Sequence, residues 1–310
     1  MNILVTGGAG YIGSVLVPNL LSQGHAVTVI DNFMYKQTSL ASSIRDVKLS
    51  LVFGDVRDES LMEEHLSKAD VIIPLAAVVG APACDNDPIA AQSINKDSIL
   101  WLLKHLSSQQ RILMPTTNSA YGSGDKNNSC DENSPLNPIS LYGVTKAKAE
   151  SLVFKNGNSI CFRLATVFGF SYRMRTDLLV NNFVEKAVKK NQIEIFEPKF
   201  RRNYIHIRDV VAAFVFAINN FNKLKNNIYN LGLSSANLTK LDLAKRIKKY
   251  SKELKIKLVH NKKDQDKRDY FVSNKKIEKA GFKPKTSLDS GIKELLQLFK
   301  NVKVNFINNI

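Results

Sequence analysis

Cysteine is scarce in this chain, with Cys84, Cys130 and Cys161 its only three. They form an odd, scattered set without metal-ligand spacing, which suits a reducing cytoplasm and gives no metal site to expect. Long apolar runs are missing too. With no stretch of about twenty apolar residues, no transmembrane span is expected. The opening residues pass straight into a strand-like run with no charged leader or cleavage site, so no signal peptide is expected. Internal repeats and low-complexity linkers are absent as well. Acidic residues are few, 28 against 44 Lys and Arg, for a formal net charge of +16. Residues 236–310 alone hold 20 Lys and Arg against 8 Asp and Glu. A basic lobe of this kind suits nucleic acid, membrane lipid or a phosphorylated small molecule. Lys245, Lys248, Lys249 and Lys252 are spaced as a solvated helix face, and no aromatic-basic recognition pattern interleaves them. Neither a nucleic acid nor a membrane is therefore expected as partner.

What is present begins at the N-terminus. Ile3-Leu4-Val5 is an apolar run too short for a helix and reads as a buried strand. Gly7, Gly10 and Gly13 follow at three-residue spacing, and Val15-Leu16-Val17 with Leu20-Leu21 continues at helical period. A strand, a glycine turn and a helix in this order let a pyrophosphate approach free N–H groups at a helix N-terminus. A second strand at 26–30 ends in Asp31, followed by Asn32. An acid at that place accepts hydrogen bonds from an adenosine ribose and repels a 2′-phosphate, which favours NAD over NADP. The plainer alternative is a turn with a surface aspartate.

Further strands read at 49–53, 71–75 and 111–115. Asp55 with Val56, past the third, suits an adenine edge and ring, or else caps the helix at 59–66. Leu75-Ala76-Ala77 and Val79-Gly80 are small residues past a strand end, where a cofactor can lie against the backbone. Residues 94–106 read as one amphipathic helix, with Asn95 a buried hydrogen-bonding residue or a cap. The fifth strand delivers Thr117-Asn118-Ser119, polar residues where open α/β sheets place ligands. A helix then opens with Tyr142 and Lys146 on one face. An ammonium beside a phenol stabilises the phenolate, making Tyr142 a usable base.

Taken together, Val5-Thr6-Gly7-Gly8-Ala9-Gly10-Tyr11-Ile12-Gly13, Gly54-Asp55-Val56-Arg57-Asp58, Thr117 four residues before Tyr121-Gly122, and Tyr142-x-x-x-Lys146 resemble the extended short-chain dehydrogenase/reductase family. That family holds the NAD-dependent nucleotide-sugar epimerases, dehydratases and dehydrogenases. The likeness continues through Arg163-Leu164-Ala165-Thr166-Val167-Phe168-Gly169 and Arg202-Asn203-Tyr204-Ile205-His206-Ile207-Arg208-Asp209-Val210, nearly the whole chain. Val79-Gly80-Ala81-Pro82-Ala83-Cys84 and Asp266-Lys267-Arg268-Asp269-Tyr270 resemble bacterial GDP-manno-heptose 4-dehydrogenases of capsule synthesis. The resemblance implies Tyr142 as base, Lys146 as its partner and ribose ligand, and Thr117 as the hydroxyl that positions the sugar C4 oxygen. It implies Arg202 on the substrate diphosphate, with Asn181 and Arg268 at further nucleotide-sugar contacts. It also implies a homodimer. Dehydratases of the family carry Asp-Glu where this chain has Asn118-Ser119, and many epimerases carry Asn where it has Thr166.

The second half adds helices at 178–188, 209–219, 274–280 and 288–300, strands at 193–196, 203–206 and 227–231, and further strand-like residues at 258–259. Thr239 with Asp242 has the form of a capping box for a helix to residue 250. His206 reads as a core or lobe-interface histidine. The expectation is a Rossmann-type doubly wound parallel sheet with a smaller C-terminal substrate-binding lobe. Residues 1–169, with 207–232 returning, would bind NAD, while 170–206 and 233–310 would hold the nucleotide-sugar. The expected reaction is NAD-dependent oxidation at C4 of a GDP-heptose or GDP-hexose in surface polysaccharide synthesis, with 4-epimerisation as the alternative and, behind it, a 4,6-dehydratase or a non-catalytic NAD-sensing protein.

Overall fold

The computed structural model describes residues 1–123, 129–259 and 268–302. Its elements run β1 (Asn2–Thr6), α1 (Gly13–Ser22), β2 (Ala26–Asp31), β3 (Leu49–Phe53), α2 (Glu59–Leu66), β4 (Val71–Pro74), α3 (Ala81–Asn86), α4 (Pro88–Gln92), α5 (Ser98–His105) and β5 (Arg111–Thr117). Next come α6 (Leu141–Asn156), β6 (Ser159–Leu164), β7 (Thr166–Phe168), α7 (Leu179–Lys190), β8 (Gln192–Ile195), β9 (Arg201–His206), α8 (Ile207–Asn219), α9 (Phe221–Leu224) and β10 (Asn227–Leu231). The chain closes with β11 (Asn237–Thr239), α10 (Lys240–Lys248), β12 (Lys255–Leu258), α11 (Lys275–Ala280) and α12 (Leu288–Asn301).

Seven parallel strands form the central sheet in the order β10-β6-β5-β4-β1-β2-β3. The apolar runs of β1, β4 and β5 are buried on both faces, as a parallel sheet covered by helices requires, while the edge strand β3 is only part-buried, with Phe53 exposed. Ile3 and Val5 on β1 face one core with Leu16 and Leu20 of α1 and Phe214 of α8. Leu4 between them faces the other, with Met62 and Leu66 of α2, Leu102 of α5 and Val153 of α6. Strand order reverses between β4 and β1, with Thr6 opposite Pro74 on one side and Ile30 on the other. Ligands bind at such a switch point, past the carboxyl ends of the strands. Two smaller sheets, β11-β9-β7 and β12-β8, follow from the second half.

One helix differs from its expected form. Residues 94–106 belong to a longer helical stretch that starts at Pro88, in which a π turn at Ser93–Asp97 joins α4 to α5. The extra residue per turn brings Asn95 inward. Its side chain accepts from Val78 N at 2.8 Å and donates to Val78 O at 2.9 Å and Thr145 Oγ1 at 3.2 Å. Asn95 is thus the buried hydrogen-bonding residue rather than a cap. The short α3 carries no apolar period and escaped the sequence reading. The capping box at Thr239 and Asp242 is present.

Candidate active site

The glycine turn is packed backbone on backbone. Gly7 has φ +67°, and a Cβ there would lie 2.6 Å from Ala76 N; one on Gly13 would lie 2.3 Å from Gly8 O. Ile12, at the N-cap of α1, makes no side-chain cap hydrogen bond; Ser14, Val15 and Leu16 donate back to Gly10 O and Ile12 O, which leaves the N–H groups from Tyr11 to Gly13 to face an anion. Tyr11 hydroxyl donates to Gly169 O at 2.7 Å, tying the turn to the loop after β7.

Asp31 ends β2 and is buried. Its carboxylate accepts from Ala9 N at 3.0 Å, Phe33 N at 2.8 Å and Gln37 Nε2 at 3.2 Å. Burial pushes the carboxyl up, and these donors and Arg173 pull it back. Asp55 is held in a two-pronged pair with Arg57, both contacts at 2.8 Å, and the guanidinium keeps its carboxyl below the usual range. The cap of α2 is Asp58, which accepts from Leu61 N; Asp55 is not that cap.

A single cavity of about 620 Å³ joins these parts. Gly7, Gly10, Tyr11, Ile12, Gly13, Asp31, Asn32, Asp55 and Val56 line it at the turn and the two acids. Leu75, Ala76, Ala77, Val79 and Gly80 form its wall after β4, and Thr117, Ser119, Tyr142, Lys146 and Arg268 line it as well. Asp266 and Lys267, read next to Arg268, lie outside the described residues.

Thr117, at the end of β5, donates to Ser119 Oγ at 2.8 Å. Tyr142 and Lys146 occupy the first turns of α6, whose start is capped by Ser140 accepting from Gly143 N. Burial pushes the Tyr142 phenol up to about 12, and Arg175, Arg268 and the Thr117 hydroxyl pull it back. The arginines act on the phenol ahead of the Lys146 that the sequence pointed to. Lys146 is 4% exposed, and burial draws its ammonium down to about 8. Among the described residues nothing accepts a hydrogen bond from its Nζ.

Four expected site residues lie off the cavity. Arg202 is buried behind Arg268 and Tyr270, donating to Arg201 O at 2.9 Å and to Arg268 O, with its guanidinium 5.7 Å from the Tyr270 ring centre. Asn181 accepts from Gly169 N at 3.0 Å and donates to Tyr11 hydroxyl at 3.2 Å and Arg175 O at 2.8 Å. Asn95 braces the wall through Val78. Asn118 is buried, and its side-chain oxygen and nitrogen find no partner among the described residues. In their place the cavity is lined by Arg173, Arg175, Tyr35 and Gln37. Arg173 stacks 4.3 Å over the Tyr35 ring, and Arg175 pairs with Asp177. Both arginines come from the loop after β7, where no periodicity marks a side chain's direction; two arginines around Met174 were the only signal.

The family model described as the NAD dependent epimerase/dehydratase family matches residues 3–232. The chain belongs to that family. A CDP-paratose 2-epimerase of Salmonella typhi is 27% identical, across 95% of this chain and 98% of its own length. Among solved structures, a UDP-glucose 4-epimerase of Thermotoga maritima in complex with UDP-glucose is 26% identical, with TM-score 0.85 over 97% of this chain and 99% of that one. A UDP-glucuronic acid 4-epimerase of Bacillus cereus in complex with UDP-glucuronic acid and NAD shares the fold at TM-score 0.86 and 24% identity, over 97% and 99%. As in the family, the cofactor is NAD, and the site fits it. Gly7 and Gly13 admit no Cβ, Asp31 is presented to the cavity by backbone donors, and among the described residues the Lys146 ammonium has no acceptor. No described helix is long and apolar enough to cross a membrane.

Proposed function

We propose that this enzyme oxidises a nucleotide-sugar at C4. The observation that carries the reading is the convergence of Thr117, Tyr142 and Lys146 with the glycine cradle and Asp31 on one cavity. NAD supplies the hydride acceptor. Tyr142, as phenolate, takes the proton of the C4 hydroxyl as the C4–H bond gives up its electron pair, leaving a 4-keto sugar. Thr117 orients the C4 oxygen, and Lys146 offers its ammonium to the nicotinamide ribose while its charge favours the phenolate. Asp31 accepts from the adenosine ribose, and Asp55 with Val56 receives the adenine. Arg175 and Arg268 are assigned to the diphosphate, with Arg202 acting from behind through the Arg268 carbonyl. Ser119, Val79 and Gly80, which line the cavity, are assigned to the sugar, Asn118 lies buried behind them, and Asn181 supports Arg175.

Residues 170–206 and 233–310 are assigned to the nucleotide-sugar, and 1–169 with 207–232 to NAD. The substrate proposed is a GDP-heptose or GDP-hexose for a surface polysaccharide, handled in the cytoplasm by a homodimer. A second reading keeps the same first step and then reduces the 4-keto sugar from its other face. The full-length likeness to a UDP-glucose 4-epimerase favours it. Mass spectrometry of the nucleotide and nucleotide-sugar that co-purify with the protein tests the substrate class: GDP-sugars are expected, and a ligand without a diphosphate would overturn the assignment.

A further inference from the structure

Behind the reactive residues lies a buried charged cluster that the chemistry above does not use. Glu150 stands one turn beyond Lys146 on α6 and is 2% exposed. It accepts from Thr116 Oγ1 at 2.6 Å and from Arg163 through Nε at 3.0 Å and Nη2 at 2.7 Å. Arg163, on β6, also donates through Nη1 to the Tyr121 hydroxyl at 2.9 Å. That hydroxyl in turn meets Asn230 Oδ1 of β10 at 2.7 Å and the Asp131 carbonyl at 2.8 Å. One carboxylate therefore joins the helix that carries Tyr142 and Lys146 to the strand that carries Thr117. Through Arg163 it also holds the end of the turn at Asn118–Tyr121.

Burying two charges is unfavourable, and replacing such a pair by packed apolar side chains is often neutral or stabilising. Stability alone gives no reason for this cluster, whereas its placement does. Thr116 precedes Thr117, so fixing the Thr116 side chain to Glu150 fixes the backbone that presents the Thr117 hydroxyl. Resting on the C4 oxidation read above, we propose that Glu150 is a positioning residue of the reaction, holding Tyr142 and Lys146 in place against Thr117.

Its charge acts in the same direction. Burial draws the Lys146 ammonium down, and Cys161 of β6, Glu150 of α6 and Cys84 of α3 push it back up. Burial holds the Cys84 thiol at about 11 and pushes Cys161 up as well, so both are neutral near pH 7. Tyr142, one turn away, is not among the groups that act on the Lys146 ammonium, and Arg163 is committed to Glu150. Glu150 is thus the anion that keeps Lys146 protonated.

The test compares wild type with Glu150→Gln, which keeps the shape and removes the charge. NAD is titrated calorimetrically across pH, and turnover is followed with UDP-glucose and GDP-mannose as probes. Wild-type NAD affinity should weaken as pH rises through about 8, and in Glu150→Gln the weakening should start at lower pH. Turnover should fall roughly 10–100-fold with KM unchanged, the range that about an ångström of misplacement produces. An unmoved pH profile with unchanged turnover overturns the proposal. So does a parallel loss of NAD affinity, turnover and thermal stability, which marks a purely structural pair. If Glu150→Gln does not fold, Thr116→Val decides, because it removes only the hydroxyl and leaves the ion pair: lower turnover at unchanged KM supports the role, and wild-type turnover overturns it. A wild type that turns over neither probe contradicts the reading of the reaction, and the NAD pH profile then decides the role of Glu150 by itself.

Discussion

Tyr142 is the residue on which the proposed chemistry depends, and its phenol sits high at about 12. Replacing it with Phe keeps the ring and removes the ionisable hydroxyl. Turnover of Tyr142→Phe should fall roughly 10²–10⁴-fold, the usual contribution of a general base, while calorimetric NAD affinity stays near wild type. Near-normal turnover would reject Tyr142 as the base. In the proposed reading Asp31 decides the cofactor, its oxygens being aligned by Ala9, Phe33 and Gln37. In Asp31→Ala, NAD should bind more weakly and the gap to NADP should narrow, most of all because Arg173 remains nearby to meet a 2′-phosphate. An unchanged preference in titrations of both dinucleotides would reduce Asp31 to a turn residue. Gly7, Gly13, Asp31, Tyr142 and Lys146 stand out in the sequence by type and spacing, and all five line the one cavity. Where Arg202 sits relative to the cavity is not legible, because a strand residue's burial depends on what packs over it, here Tyr270 and Arg268.

Helices and strands were legible in proportion to their apolar content. The strands of the central sheet announce themselves as short apolar runs, and α2 spans the residues expected of it. The stretch from Pro88 to His105 was less so, because a π turn leaves no mark in hydrophobic period. The last helix, α12, shows how one element holds the site from a distance. Its Glu294 accepts from Phe170 N at 3.0 Å, lies 3.3 Å from His206 Nε2 at ion-pair rather than hydrogen-bond geometry, and pairs with Arg208. Burial alone would raise this carboxyl, but the His206 ring, the Phe170 N–H and Arg208 hold it at about 2. His206 is thereby a buried interface residue. Phe170 opens the loop that brings Arg173 and Arg175 to the cavity. Glu294→Gln should destabilise the fold by about 2 kcal/mol, the scale of hydrogen bonds to a charged group. The sign in pH follows from the lowered value. The contribution is full above the ordinary glutamate range near 4.3 and is lost as pH falls through about 2. Denaturant melts of both proteins should differ at neutral pH and converge in acid; a difference that persists in acid would remove the charge from the explanation.

At the scale of the whole molecule, the parallel sheet and its switch point were legible, since a glycine turn between two apolar strands and an acid after the second admit few other topologies. The wall of the cavity opposite the sheet was not. It comes from the loop after β7 and from the residues around Arg268, and only tertiary packing brings them to Tyr142. The proposed reaction class rests on residues in and beside that cavity. A 4,6-dehydration needs a base for the C5 proton and an acid for the departing C6 hydroxyl, and neither Asn118 nor Ser119 can serve as either. The decisive measurement incubates the enzyme with candidate nucleotide-sugars in deuterated water and reads the product by mass spectrometry and NMR, with absorbance at 340 nm for NADH. A 4-keto sugar with bound NADH, at unchanged water content and without deuterium at C5, is the expected result. An inverted C4 without deuterium uptake would move the enzyme to the epimerase reading. A product lighter by one water and deuterated at C5 would contradict chemistry confined to C4.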